Sequence, residues 1–279
     1  MRALPQFTHG AGIAMRSMGR RRSRPARLPQ STRSAGIAAA VAILCAGAVD
    51  PAAAGAEPFG EAQLFFELND TDGDLGIYSK IDGEPWVHLV IEDPGNRTLL
   101  DILATSRLRK QGMTEIFFES AEPSFDELSP RDFLKRFPSG HYEARGFSQS
   151  IGNLRSEMFL SHVMPAPAGD ILIGGIPAAE DCDADPLPTV PGNQTVSIAW
   201  DAVTSSHPDI GQAGPVSIAE YEVVLEAGDV KLAASLPPGQ TSLQVPASFL
   251  ALSDAWKLEI LVRATNHNRT AIETCFLVQ

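Results

Sequence analysis

Positive charge is scarce in this sequence beyond its first 56 residues. The 279 residues include 22 Lys and Arg against 34 Asp and Glu. Eight of the basic residues and one of the acids fall within the first 56 positions, which leaves 14 against 33 and a formal net charge of −19 for the rest. Attraction to nucleic acids and to anionic lipid headgroups depends on Lys and Arg. We therefore expect no nucleic-acid partner.

Long apolar stretches are also missing, with one exception at residues 35–44. This stretch follows an arginine-rich segment and precedes small residues, which is the layout of a bacterial export signal. It ends within roughly 15 residues, whereas a helix needs roughly 20 to cross a bilayer. We therefore predict a signal peptide over residues 1–56, cut after Ala56 or after Ala54, and no membrane insertion of the mature chain. A lipid anchor on Cys45 is the alternative, although a bulky residue precedes it where such sites need a small one.

A catalytic apparatus is not visible in the sequence. The Gly-x-Ser-x-Gly pattern of serine hydrolases is absent, and the histidines do not have metal-ligand spacing. Carboxylate pairs such as Glu119 with Glu122 could in principle serve a glycosidase, but such pairs arise by chance in a chain this acidic. These observations predict a protein that is not an enzyme.

The sharpest polar cluster places Asp70, Asp72 and Asp74 at alternate positions. Carboxylates spaced in this way are typical of calcium loops. The ordinary helix-loop-helix motif is excluded, because Leu75 stands where the sharp turn needs Gly and Ile81 stands where a bidentate Glu should close the site. Two interpretations stay open: a solvated acidic turn between two strands, or an irregular loop that holds Ca²⁺ weakly. We predict no other cofactor.

The segment after the leader is predicted to be mostly strand. Each candidate strand is a short β-prone run bounded by Gly, Pro, Asn or Asp. The candidates are Gln63 to Leu68, Gly76 to Ile81, Trp86 to Ile91, Leu99 to Leu103, Glu115 to Glu119, His141 to Phe147 and Glu157 to Val163. Seven short strands favour a β-sandwich.

One hairpin and one helix complete the prediction for this segment. Asp82-Gly83 is a hairpin signal, because both residues tolerate positive φ. A helix is predicted from Ser129 to Phe137, since Ser129 can cap it and Pro130 suits its first turn. The predicted core consists of Phe65, Leu68, Trp86, Leu89, Ile91, Ile116, Phe118, Tyr142 and Phe147.

The C-terminal part alternates apolar and polar residues in several strand-length runs. The inward positions are Val196, Ile198 and Trp200, then Tyr221, Val223 and Leu225, then Leu243 and Val245, and finally Leu258, Ile260, Val262 and Ala264. This pattern resembles a fibronectin type III domain, with Trp200 at the position of the family's core tryptophan. The resemblance implies a β-sandwich that serves as a spacer or a binding surface. Leu258 is a departure, because the family usually has Tyr there, and Trp256 is expected to fill the space.

Cysteine is rare, and only Cys182 and Cys275 lie beyond the predicted leader. An even pair in an exported chain is a disulfide candidate. If the C-terminal module folds as the resemblance implies, the segment entering its first strand runs beside its last strand and brings the two sulfurs within reach. The bridge would close a loop of about 90 residues and contribute on the order of 4 kcal/mol. Two buried free thiols are the alternative.

The combined prediction is an exported, acidic, all-β protein that is periplasmic or secreted. A signal peptide covers residues 1–56, and an N-terminal β-sandwich with one short helix covers 57–170. A linker rich in Pro and acids covers 171–186, and a second sandwich, similar to fibronectin type III, covers 187–279. A boundary is expected in the linker because proline interrupts both helices and strand ladders.

The expected function is non-catalytic binding or structural support through these sandwiches, with a protein or glycan partner that the sequence does not identify. The alternative is a carbohydrate-binding or weakly calcium-binding accessory protein of the cell envelope. Trp86, Tyr78 and Tyr142 are the candidates to stack on sugar rings, because exposed aromatic side chains are suited to that contact.

Overall fold

The computed structural model describes residues 55–279. The predicted lipid-anchor alternative at Cys45 and nearly all of the predicted signal peptide therefore lie outside the described residues. Strands predominate in the described part of the chain, and the prediction of an all-β fold is confirmed. The helices there are short: α1 (Ser106–Gln111), α2 (Pro130–Arg136) and α3 (Ala247–Leu250).

The N-terminal part is a sandwich of two antiparallel sheets. Its strands are β1 (Glu61–Asn69), β2 (Asp74–Trp86), β3 (His88–Glu92), β4 (Thr98–Leu103), β5 (Met113–Glu119), β6 (Gly140–Ser148) and β7 (Gly152–Leu160). The sheet order β1-β2-β5 faces the order β4-β3-β6-β7. The seven predicted strands are confirmed, although the last one begins and ends earlier than predicted.

Alternation along β1 explains which side chains form the N-terminal core. Leu64, Phe66 and Leu68 face the second sheet and belong to one hydrophobic cluster. Phe65 was predicted in the same core but points to the opposite face of β1, because successive side chains of a strand alternate. Phe147, also predicted in the core, is 43% exposed on the outer face of β6.

The hairpin predicted at Asp82-Gly83 is wrong. β2 continues through both residues to Trp86, and β3 then begins at His88 in the other sheet. A Cβ on Gly83 would lie 2.9 Å from the backbone nitrogen of Gly60. This glycine therefore permits a close approach of the chain that enters β1, which is a common reason for glycine inside a strand.

Helix α2 confirms the predicted helix and its cap. The Ser129 hydroxyl accepts a hydrogen bond from the backbone N–H of Asp132 at 3.2 Å, and Pro130 is the first helical residue. Phe133 and Leu134 are buried against the sandwich. Helices α1 and α3 were not predicted. Helix α1 has no buried residue, so its sequence shows no amphipathic pattern. Helix α3 is a single turn, which is too short for such a pattern.

The rest of the chain builds a second sandwich. Its strands are β8 (Val163–Pro165), β9 (Leu172–Ile173), β10 (Ile176–Pro177), β11 (Thr189–Val190), β12 (Val196–Ala199), β13 (Ser206–Gly211), β14 (Ile218–Ala227), β15 (Val230–Leu236), β16 (Ser242–Val245), β17 (Ala255–Ala264) and β18 (Arg269–Val278). The order β9-β12-β16 faces β15-β14-β17-β18, and β8 pairs with β13. This is the fibronectin type III-like arrangement predicted for this half. The N-terminal sandwich has the same strand order and connectivity.

Two tryptophans occupy the positions that the resemblance predicts in the C-terminal core. Trp200 is buried and meets the Tyr221 ring edge to face, with the ring centres 5.4 Å apart. Trp256 is 1% exposed, and its Nε1 donates to the carbonyl of Leu250 at 3.2 Å. It therefore fills the space near Leu258, as expected.

The stretch 171–186, predicted as a linker, contributes the first strand of the second sandwich. Ile173 in β9 is fully buried, and β9 pairs with β12. A strand of two residues is too short to show alternation, so the Pro and acid content dominated the prediction. The hydrophobic clusters of the two halves divide between Met164 and Ala168, although Ile210 belongs to the N-terminal cluster.

A parallel strand pairing joins the two sandwiches edge to edge. Residues 67–69 of β1 pair with residues 269–271 of β18, which creates a row of seven strands, β15-β14-β17-β18-β1-β2-β5. Leu68 faces the N-terminal core, and its pairing partner Thr270 lies on the same face as Phe276 of the C-terminal cluster. Both smaller sheets therefore cover the same side of the row.

A buried asparagine holds the junction between the sandwiches. The Asn268 side chain donates from Nδ2 to the carbonyls of Ser161 at 2.8 Å and Val163 at 3.0 Å. Its Oδ1 accepts from the backbone N–H of Phe66 at 2.9 Å. One fully buried side chain thus connects β1, the β17–β18 turn and the segment around β8, so the halves are fixed to each other.

Candidate interaction surface

The seven-strand row leaves one side uncovered by the smaller sheets, and we call this side the open face. It consists of the outward positions of β15, β14, β17, β18, β1, β2 and β5. Its carboxylates are Glu61, Glu67, Asp74, Asp82, Glu115, Glu119, Glu220, Glu222, Glu226, Glu259 and Glu273, according to the strand registers. The face is thus acidic across both sandwiches.

Each Lys and Arg at an open-face position of the described strands is engaged by a carboxylate. The pairs are Lys80–Glu61 at 2.7 Å, Lys231–Glu226 at 3.8 Å, Lys257–Glu273 at 2.5 Å, Arg263–Glu220 at 2.8 Å and Arg269–Glu67 at 3.2 Å. Asp74, Asp82, Glu115, Glu119, Glu222 and Glu259 have no Lys or Arg partner among the described residues. The face therefore carries a surplus of negative charge.

Some of these carboxylates stand directly opposite one another. Glu259 on β17 pairs in register with Glu273 on β18, and Asp82 on β2 pairs in register with Glu115 on β5. Like charges at directly opposite positions destabilise a sheet. Burial and, to a smaller extent, the charge of Glu273 raise the pKa of Glu259, whereas the charges of Lys257 and Lys231 act in the opposite direction.

The acidic turn singled out in the sequence connects β1 to β2. Asn69 organises it: the side-chain Oδ1 accepts from the backbone N–H groups of Thr71 and Asp72, both at 3.1 Å. The Gly73 N–H donates to the Asn69 carbonyl at 3.0 Å, and Gly73 has φ +67°, which glycine adopts readily. The turn is thus defined by local hydrogen bonds of the kind that Asn and Gly favour.

The first carboxylate of the turn is bound to a histidine of the other sandwich. His207 lies 3.0 Å from Asp70 through its Nε2, and the side chain of His207 is 5% exposed. Its Nδ1 accepts from the backbone N–H groups of Asp209 and Ile210, at 3.2 and 3.0 Å. Because Nδ1 is an acceptor, Nε2 carries the hydrogen and donates it to Asp70.

The last carboxylate of the turn lies among other acids. Burial and the charges of Glu122, Asp72 and Glu273 raise the pKa of Asp74 to about 6. Glu122 accepts a hydrogen bond from the Tyr78 hydroxyl. Burial in turn raises the pKa of Glu122, with a further contribution from the charge of Glu119.

Glycine makes room for this cluster on β2. A Cβ on Gly76 would lie 2.5 Å from Oε1 of Glu122 and 2.9 Å from the Tyr78 ring. A side chain here would displace the carboxylate from the sheet surface, so Gly76 is required for the close approach of Glu122.

Glu67 lies at the seam between the sandwiches, where it pairs in register with Arg269 of β18. Burial raises the pKa of Glu67 to about 7, although the Arg269 guanidinium beside it acts in the opposite direction. The same guanidinium lies 4.5 Å from the ring centre of Phe65, which stacks on Tyr78 at 5.6 Å. An ion pair and an aromatic contact therefore cross the seam between β1 and β18.

The structure joins Cys182 to Cys275 in a disulfide, as predicted. The two residues are separated by 93 positions, and their Cα atoms lie 4.7 Å apart. Cys275 is an open-face position of β18, so the bridge attaches the segment that precedes β11 to one end of the open face.

The three carboxylates predicted to hold Ca²⁺ have separate partners. Asp70 accepts from His207, and Asp72 accepts from Nδ2 of Asn69 at 3.2 Å, whereas Asp74 lies among carboxylates. Within residues 55–279 no group of three or more His, Cys, Asp or Glu side chains is arranged to hold a metal ion. The calcium site at Asp70, Asp72 and Asp74 stays a prediction.

The aromatic residues proposed to stack on sugar rings are not accessible. Trp86 and Tyr142 are fully buried, and Tyr78 is 6% exposed. This part of the prediction is wrong, because these side chains fill the N-terminal core or lie beneath the open-face carboxylates. Phe117 on β5 and Phe159 on β7 are the more exposed aromatic residues, at 52% and 53%.

Several residues of the open face were not predicted from the sequence, notably Glu67, Glu259 and Glu273. A signal was present, because acids alternate with apolar residues in the runs around Tyr221 and Leu258. That alternation indicates a strand with one solvated face. It does not indicate that strands of two sandwiches share this face, since the pairing of β1 with β18 joins residues that are distant in sequence.

None of the helices in the described residues is long and apolar enough to cross a membrane. Comparisons with protein-family models and with curated protein sequences gave no match. Among solved structures, the chain is similar to part of a 1.5-MDa bacterial ice-binding adhesin, with 13% identity and a TM-score of 0.25 over 81% of this chain and 66% of the adhesin chain.

Two further solved structures show similarity of the same extent. A two-domain fibronectin type III segment of chicken tenascin has 9% identity and a TM-score of 0.26 over 78% of this chain and 97% of the segment. A Ca²⁺-stabilized adhesin of an Antarctic bacterium has 13% identity and a TM-score of 0.24 over 80% of this chain and 50% of the adhesin chain. Similarity this low carries no inference about the function of this chain.

Proposed function

We propose that the chain is a non-catalytic binding or structural protein, exported to the periplasm or secreted, that holds a partner on the open face. The observation that carries the proposal is the joining of two sandwiches into one row of seven strands with a shared uncovered side. A broad sheet face fixed by a buried junction presents a partner with a surface whose shape does not depend on relative domain motion.

Export is supported by the disulfide and by the predicted leader. A bond between Cys182 and Cys275 persists in oxidising compartments such as the periplasm or the cell exterior. The net charge of −19 beyond residue 56 suits a surface that stays dissolved there and attracts cationic groups.

The carboxylates with raised pKa values are also the groups that an enzyme would use as acids or bases. In this fold Glu67, Asp74, Glu122 and Glu259 lie on or against the open face. One hollow of about 230 Å³ lies between the sandwiches and is lined in part by Gln63, Phe159 and His267. These carboxylates do not line this hollow, although His267, whose pKa is lowered by burial, does. This separation of the carboxylates from the hollow favours the binding role over a catalytic one.

Site-specific photo-crosslinking in a bacterium that exports the protein tests this proposal. A photoreactive residue replaces Ala233 or Phe117, both exposed on the open face, and in the matched control it replaces Phe159 on the outer face of β7. We expect a discrete crosslinked product from the open-face positions and none from the control position. Equal products from both sides, or no product from the open face, would contradict the proposal.

A further inference from the structure

The open face is deficient in free positive charge along its whole width. Its Lys and Arg side chains are neutralised by adjacent carboxylates, and six further carboxylates, from Glu222 on β14 to Glu119 on β5, have no basic partner in the described chain. We propose that the open face docks an extended Lys- and Arg-rich polypeptide segment of a partner, which deepens and rests on the function proposed above.

The arrangement of the acidic residues opposes the stability of the sheet, although Lys257 offsets part of the charge at Glu273. Two like-charge pairs stand in direct register, Glu259 with Glu273 and Asp82 with Glu115, where a neutral residue or a cation would be more stable. Natural sequences violate such local rules mainly at functional sites. A cationic partner removes the repulsion on binding, because each Lys or Arg side chain can lie between two carboxylates.

The width of the region that holds the unpartnered carboxylates favours a polypeptide over a single metal ion as the ligand. The unpartnered carboxylates extend from β14 to β5, across five interstrand spacings of about 4.8 Å, or roughly 24 Å. A metal ion contacts ligands within about 2.6 Å and cannot bridge this width. An extended segment of about seven or eight residues, at roughly 3.3 Å per residue, covers it.

The shape of the surface also fits an extended segment. The open face is a sheet surface, and apolar side chains such as Val224 and Leu261 are buried between its charged neighbours, with exposures of 4% each. The aliphatic stems of Lys and Arg can lie along the exposed apolar side chains of this face, such as Phe117 and Leu277, while their charged ends reach the carboxylates.

Fluorescence anisotropy with a defined peptide tests this inference. The probe is a labelled 12-residue peptide of alternating Lys and Ser, and the reference peptide has Gln in place of each Lys. We expect the protein to bind the Lys peptide and not the Gln peptide. The affinity should weaken roughly tenfold when salt is raised from about 50 to about 200 mM, because exposed charges are screened.

Variants in which Glu is replaced by Gln test whether the peptide binds at the open face. Glu222→Gln with Glu259→Gln should weaken peptide binding by about fivefold while raising the midpoint of thermal unfolding, because repulsion between carboxylates is relieved. The matched control is Asp101→Asn with Glu157→Gln, which removes the same charge from the exposed outer face of the β4-β3-β6-β7 sheet. The control should change the affinity less than twofold.

Two results would overturn the inference. Equal weakening by the open-face and control variants would show attraction by net charge alone, and equal binding of both peptides would show that cationic side chains are not recognised. The crosslinking experiment separates these failures from failure of the proposed function. A face-specific crosslink to a partner segment without Lys or Arg would leave the binding role intact and refute the basic-segment inference.

Discussion

The side chain of Asn268 makes three hydrogen bonds that connect the two sandwiches. Replacing it by Ala leaves the N–H of Phe66 and the carbonyl of Ser161 without their partner, whereas the carbonyl of Val163 keeps its hydrogen bond from Nδ2 of Asn266. Each buried polar group left unsatisfied costs about 1 to 3 kcal/mol, and partial access of water lowers the sum. We expect Asn268→Ala to reduce the free energy of unfolding in urea by roughly 2 to 4 kcal/mol.

The matched control for this variant is Asn193→Ala, because Asn193 is exposed in a loop. We expect a change within about 0.5 kcal/mol there. A loss at Asn268 no larger than that of the control would contradict the role assigned to the junction asparagine.

The raised pKa of Glu67 leads to a prediction for how the stability of the protein depends on pH. Burial raises the pKa of Glu67 in the folded protein to about 7, above the value of 4.5 for an exposed Glu, so the folded state binds the proton more tightly than the unfolded state. Stability from this group is therefore fully present below about pH 4.5 and is lost as the pH rises through about 7. Asp74, with a pKa raised to about 6, acts in the same direction. We expect the thermal midpoint to fall between pH 5 and pH 8.

Glu67→Gln should make this decline shallower, because the substituted side chain does not titrate. Glu157→Gln, at an exposed position of β7, should leave the slope unchanged. A midpoint that rises from pH 5 to pH 8, or an identical slope in Glu67→Gln, would refute this assignment.

At the scale of elements, long strands with alternating apolar and polar residues could be predicted from the sequence. The two-residue strand β9 and the continuation of β2 through Asp82 and Gly83 could not. The seven N-terminal strands and the capped helix α2 follow from β-prone runs and from Ser129-Pro130. The hairpin at Asp82-Gly83 failed because a glycine also serves close backbone approach, here to Gly60. β9 failed because two residues carry no periodicity.

The predicted Ca²⁺ site lies in the β1–β2 turn. If Asp72 and Asp74 contribute to a weak Ca²⁺ site, Ca²⁺ binding to the folded state must raise the thermal midpoint relative to chelator. We expect a rise of roughly 2 to 4 °C for each kcal/mol of binding stabilisation, measured by differential scanning calorimetry. The rise should vanish in Asp72→Asn and persist in Asp254→Asn, an exposed position before β17. Identical thermal midpoints with Ca²⁺ and with chelator would contradict the predicted Ca²⁺ site.

At the scale of the whole molecule, the sequence indicates two sandwiches but not how they are combined. The C-terminal strand order follows from the family resemblance and from residues such as Trp200 and Tyr221. The row of seven strands depends on three register pairs between residues about 200 positions apart, and on one asparagine whose polar side chain gave no hydrophobic signal. Periodicity reports which face of a strand is buried, and it does not report which distant strand lies beside it.

The claim that the two sandwiches form one rigid body is tested most directly by pulsed electron paramagnetic resonance. Spin labels at Ser235→Cys on β15 and Thr114→Cys on β5, with the Cys182–Cys275 disulfide intact, mark the two edges of the seven-strand row. Six interstrand spacings across the row, combined with an offset of about nine residues along the strands, place the labelled backbones roughly 40 Å apart. We predict a single narrow distance distribution near this value, once the length of the labels is included. A broad or multiple distribution would show that the sandwiches move independently and would contradict the shared open face.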